Sequence, residues 1–292
     1  MPPITTKLPY AAKPATLLSL ALTCLAFTLV SCTSRTADET PPGSVQPEGT
    51  IGPALFQEFR PADWSDNRSS DGRWRVNGVW VATGDNTFDP ANVTFTETYP
   101  DDDGRGFMHF TSRANMKNGS EVQTVKDGPL YGYGYYEVRM KVTDVGDPEA
   151  NRGVCVSFFW KRKDYQRAEW DFEFLTNGDW IDDPDRGVVT MNYHLDNGTS
   201  EAHYHELPFN PSKGFHRYGF LWQPNRLDWT VDGEIVYSFE SPDVASEPGY
   251  IMMNSWTGSK NWGGLPPTED AITVYDWVKF YPDVTAVPND GK

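Results

Sequence analysis

Residues 167–175 read RAEWDFEFL, with Ala168, Trp170, Phe172 and Phe174 alternating with Glu169, Asp171 and Glu173. Alternation of period two is the signature of a β-strand, whose successive side chains point to opposite faces. The rings therefore enter a core and the three acids share the other face. Neighbouring acids on that face stand about 7 Å apart at Cα, and the outer pair about 13 Å. Their mutual repulsion raises at least one pKa. A solvated strand face mixes charges and hydroxyls, and a calcium site would also use carboxylates. The chemistry that needs neighbouring carboxyls in different protonation states is glycoside cleavage, where one protonates the leaving oxygen and another attacks or activates water. Spacing along the strand does not decide between retention and inversion.

The same period extends outward. In YYEVRMKV, Tyr136, Val138, Met140 and Val142 oppose Glu137, Arg139 and Lys141. In GVVTMNYHL, Val189, Met191, Tyr193 and Leu195 oppose Thr190, Asn192 and His194. RLDWTVDGEIVYSF reads as two strands around the turn pair Asp232-Gly233, a type I′ hairpin signal. YIMMNSW and ITVYDWVKFY are further strands, and 25 Gly and 23 Pro punctuate the gaps. No long stretch carries a helical period, so the fold class is all-β and the architecture a sandwich.

Of 292 residues, 38% are hydrophobic and 14% aromatic, including 11 Trp, which suffices for one large core and a cleft lined with rings. The formal net charge of -16 argues against a nucleic-acid partner, which would require clustered Lys and Arg. Lys7 and Lys13 precede the apolar run ATLLSLALTCLAFTLVS, which reads as a targeting segment. It ends in LVSC, a lipobox-like motif that makes Cys32 the expected lipidation site and new N-terminus. The expected organisation is a lipoprotein signal over 1–32, a flexible Pro/Thr/Ser/Glu-rich tether over 33–50, one catalytic domain over 51–283, and a tail over 284–292. The expected location is outside the cytoplasm, lipid-anchored at the outer membrane or cell surface, as a monomer whose only membrane contact is the anchor. Cys155, the one cysteine beyond these segments, has no disulfide partner and reads as a small buried hydrophobe.

RAEWDFEFL resembles the E-x-D-x-E signature of glycoside hydrolase family 16. YGYGYYEVRMKV, FHRYGFLWQPNRLDWTVDGEIVY, IMMNSW and YDWVKFYP are also similar, in order, to segments of its bacterial licheninases, the endo-β-1,3-1,4-glucanases. The resemblance implies a β-jelly-roll sandwich with a concave substrate cleft and a retaining double displacement needing no cofactor. It makes Glu169 the nucleophile, Glu173 the general acid/base and Asp171 their hydrogen-bonding assistant. It places Glu137, Arg139, Phe159, Asn192, Asn254 and Trp256 in the cleft, and Asp276 among the ligands of a structural calcium on the convex side.

The sequence departs from the family where a Trp becomes Arg167 and where two cleft Tyr become Lys161 and His194. With Arg162 and Lys163, these put positive charge beside the acids. The function expected is endo-hydrolysis of a β-1,3-1,4 or β-1,3 glucan. The alternatives are action on another β-glycan, such as an exopolysaccharide or a galactan, transglycosylation, or a non-catalytic carbohydrate-binding module.

Overall fold

The computed structural model describes residues 53–82, 85–97 and 106–289, so residues 1–50, with Cys32 and the tether, lie outside it. Two antiparallel sheets face each other. The cleft sheet runs, in spatial order, β14 (Ser200–Leu207), β13 (Gly187–His194), β12 (Glu169–Leu175), β11 (Val154–Arg162), β18 (Gly249–Thr257), β9 (Asn118–Thr124), β4 (Trp74–Val76), β3 (Arg68–Ser69) and β2 (Trp64–Ser65). The hairpin of β5 (Trp80–Ala82) and β6 (Asn86–Phe88) joins it at β9. The back sheet runs β17 (Glu234–Glu240), β16 (Arg226–Val231), β15 (His216–Gln223), β10 (Gly134–Lys141), β19 (Ala271–Pro282), β8 (Phe107–Ser112) and β7 (Val93–Thr96), with β1 (Leu55–Glu58) on β19. This is the expected jelly-roll sandwich. At the β16–β17 turn Asp232 has φ 49° and Gly233 φ 88°, the left-handed pair that a type I′ turn requires.

The core lies between the sheets, and it fixes the carboxylate strand. Trp170 stacks on Trp160 at 4.1 Å, and both rings meet Trp222 of the back sheet at 4.7–4.8 Å. Trp160 and Trp180 are thus buried structural rings rather than sugar platforms. Trp229 of β16 donates its indole N–H across the sandwich to the Asp171 carbonyl at 3.1 Å. Tyr275 of β19 donates to the carbonyls of Ser157 and Asn254 at 3.1 and 3.2 Å. These bonds satisfy buried carbonyls and anchor three cleft strands from below.

The back sheet corrects part of the sequence reading. Glu137 and Arg139 lie on β10, in the middle of that sheet, and not in the cleft. Glu137 accepts from the Tyr135 hydroxyl and faces Arg217, and Arg139 binds the buried Asp276. Period two identifies which residues share a face; it does not say which sheet the strand joins. Asp276, expected as a calcium ligand, is fully buried on β19. Its Oδ2 pairs with Arg139. The tail is partly docked, because Val284 and Val287 pack against Tyr135, Leu221 and Tyr281.

Candidate active site

Strand register arranges the cleft face in rows. Glu121, Asn254, Ser157, Glu173 and Thr190 form one row across β9, β18, β11, β12 and β13. Gln123, Met252, Phe159, Asp171 and Asn192 form the next, and Tyr250, Lys161, Glu169 and His194 a third. Glu121, Asn254, Glu173, Gln123, Met252, Phe159, Lys161 and Glu169 of these rows floor a cleft of about 650 Å³, walled by Trp80, Phe88, Tyr165 and Trp256.

Within it the acids form one connected chain. Glu169 meets the Lys161 ammonium at 2.7 Å, and His194 Nε2 stands 3.9 Å from its other oxygen. Asp171 shares a hydrogen bond with Glu169. Asn192 Nδ2 donates to Asp171 Oδ1 at 2.6 Å and to Glu173 Oε2 at 2.7 Å. Trp262 Nε1 also donates to Glu173 Oε2, at 2.8 Å, while the Cys155 thiol and Ser157 hydroxyl reach Oε1 at 3.2 and 3.4 Å. The outer side chains thus lean inward onto a shared network, despite their spacing at Cα.

The electrostatics divide the acids. Burial, then the charges of Glu173 and Glu169, push Asp171 well above the carboxylate range. Burial raises Glu173 also, against the opposing pull of its thiol, indole and amide donors. A protonated Asp171 can donate to Glu169, and a protonated Glu173 can give its proton to a leaving oxygen. Meanwhile Lys161 holds Glu169 in an ion pair.

The structure brings Glu169, Asp171, Glu173, Phe159, Lys161, Asn192, His194, Asn254 and Trp256 to one sheet face. Arg167 does not join them. It is exposed and packs over Gly198 (φ 92°), on which a Cβ would stand 1.9 Å from its guanidinium. One further cleft group, Glu121, was not read from the sequence. Glu121 is bonded by Asn77 and Asn254, and burial lifts its carboxyl to about 7. Trp262, beyond β18, reaches Glu173 through its indole. The stretch NGSEVQT of β9 has a single apolar side chain, Val122, so no alternation marks Glu121, and Trp262 sits in a loop that has no period. Cys155 is buried as expected, but its thiol touches the candidate acid.

The model of the family described as "Glycosyl hydrolases family 16" matches residues 75–279. The chain belongs to this family. A β-glucanase of Paenibacillus polymyxa is 34% identical over 229 residues, covering 76% of this chain and 84% of that protein. The solved Bacillus licheniformis β-glucanase aligns at TM-score 0.59 and 26% identity, over 78% of this chain and 98% of its own. A prokaryotic β-1,3-1,4-glucanase (lichenase) from a mouse hindgut metagenome aligns at 0.58 and 28%, over 78% and 98%. The family 16 protein described here is therefore a glycoside hydrolase, and its cleft acids occupy the sheet face on which hydrolysis can occur.

Proposed function

We propose that the protein is an endo-acting, retaining β-glucanase that hydrolyses mixed-linkage β-1,3-1,4-glucan. The observation that carries this reading is the connected chain Lys161–Glu169–Asp171–Asn192–Glu173 on the floor of an open cleft. Similarity to β-glucanases, and to a solved β-1,3-1,4-glucanase, supports the substrate. Glu169 attacks the anomeric carbon while Glu173 gives its proton to the departing glycosidic oxygen, and the C–O bond breaks to leave a glycosyl ester on Glu169. Glu173, now ionised, takes a proton from water, and the hydroxide displaces Glu169. Asp171 donates to Glu169, and Asn192 keeps Asp171 and Glu173 in register. The steps need only these side chains.

The protein acts as an exported monomer held to the membrane by a lipid on Cys32. The motif LVSC and the polar stretch after it support this. Cys32→Ala should release the protein from the membrane fraction, and retention there would refute the anchor.

Turnover of lichenan by purified protein tests the activity. Glu173→Gln should lower kcat/KM by roughly 10²–10⁴-fold. Glu169→Ala should be inactive until azide is added, then yield an α-glycosyl azide. Near-wild-type turnover by either variant would overturn the assignment.

A further inference from the structure

Three of the positive charges close to Glu169 are already engaged. Lys161 pairs with Glu169 itself, Arg162 with Asp164 and Asp196 at 2.6–2.9 Å, and Lys163 with Glu247 at 3.7 Å. The far end of the cleft is different. Arg75 of β4 stands directly opposite Gln123 of β9, and Lys126 follows just beyond that strand. Both cations line the cleft, and neither has a carboxylate oxygen within 4 Å among the described residues. Arg75 Nε is buried and has no acceptor.

In a chain of net charge -16, a guanidinium N–H that lines the cleft without an acceptor from the chain is open to one from a ligand. The wall beside it is built rather than incidental. Tyr165 holds φ 57°, a left-handed conformation disfavoured for a bulky residue. Its ring stacks on Tyr250 at 5.4 Å with Lys126 Nζ 4.5 Å from its centroid, and its hydroxyl hydrogen-bonds the Gln123 amide. Strain of this kind persists where neighbours fix it, and it collects at ligand sites. Glu121 has no oxygen within 4 Å of Arg75; the guanidinium charge pulls its carboxyl down, but burial outweighs that pull and holds it toward its neutral form.

From these observations we infer that the β4–β9 end of the cleft, through Arg75, Lys126 and the Tyr165 ring, binds a carboxylate substituent on the β-glycan. The planar guanidinium fork matches a carboxylate, and Lys126 adds a second charge. Four strand spacings separate β4 from β12, roughly 19 Å, so the charged sugar lies several residues from the scissile bond and leaves the chemistry at Glu169 and Glu173 unchanged. The inference rests on the β-glucanase reading for its backbone substrate and refines the substrate class to acidic or partly acidic β-glucans.

The test compares lichenan with lichenan partly oxidised to carboxylate at C6, using wild type, Arg75→Gln, Lys126→Gln and the double variant. The wild type should favour the oxidised polymer in kcat/KM by about tenfold at low salt, and the preference should shrink at high salt. The double variant should bring the ratio to about one. Affinities of the inactive Glu173→Gln variant for neutral and carboxylated oligosaccharides give the same comparison without turnover. A wild-type ratio near one in both measurements, or a ratio that survives the double substitution, overturns the subsite. Failure to cleave either polymer would count against the glucanase reading alone, because the binding comparison still decides the subsite.

Discussion

Each sheet carries a set of buried acids on its outer face, and the two sets have opposite company. On the back sheet Asp276 meets Arg139, Glu137 faces Arg217, and Asp228 is gripped by Arg226. On the cleft sheet Asp171, Glu173 and Glu121 meet amides, an indole, a thiol and one another. Arginine cannot give up its proton, so an acid beside it is held as a structural ion pair. Neutral donors only partly offset burial, which leaves the cleft acids raised toward their protonated forms. The identity of the partner, more than the presence of a buried acid, separates scaffold from chemistry.

Breaking a back-sheet pair should therefore cost stability and spare the chemistry. Arg139→Ala leaves the fully buried Asp276 without its cation, and should destabilise by about 3–5 kcal/mol in urea unfolding. The folded fraction should keep its kcat. A large loss of kcat with unchanged stability would move Arg139 back to the cleft.

Glu121 sharpens the comparison from the other side. Its carboxyl is raised from 4.5 to about 7 in the folded state. The native protein thus keeps a proton that the unfolded chain releases above pH 4.5, so this group lowers stability as pH rises from 4.5 to about 7, and the loss then levels off. Glu121→Gln should remove that slope, gaining on the order of 3 kcal/mol at pH 8 and nothing at pH 4. Equal effects at both pH values would mean that Glu121 is not raised.

The smallest effect concerns Cys155. Its thiol donates to Glu173 and favours the ionised form, so Cys155→Ala should raise the Glu173 pKa further. The basic limb of the kcat/KM profile should move up by roughly half a pH unit. A downward shift, or none, would show that the contact does not tune the acid.

The sequence made the sandwich, the β16–β17 hairpin and the central acids legible, because strand period two and the Asp-Gly turn are local signals. It misplaced Glu137 and Arg139, because alternation assigns a face but pairing across some eighty residues assigns the sheet: β10 pairs with β15 near Arg217. It passed over Glu121, because β9 is polar on both faces and every residue in it is buried. It expected Lys161 and Arg167 at the cleft; Lys161 lines it, paired with Glu169, whereas Arg167 is exposed outside it.

The division of labour between Glu169 and Glu173 is tested most directly by trapping the intermediate. Wild type would be treated with an activated 2-deoxy-2-fluoro β-glucan oligosaccharide and digested, and the labelled peptide sequenced by mass spectrometry. One glycosyl unit should be found esterified to Glu169. A label on any other residue, or no label together with products of inverted anomeric configuration, would contradict it.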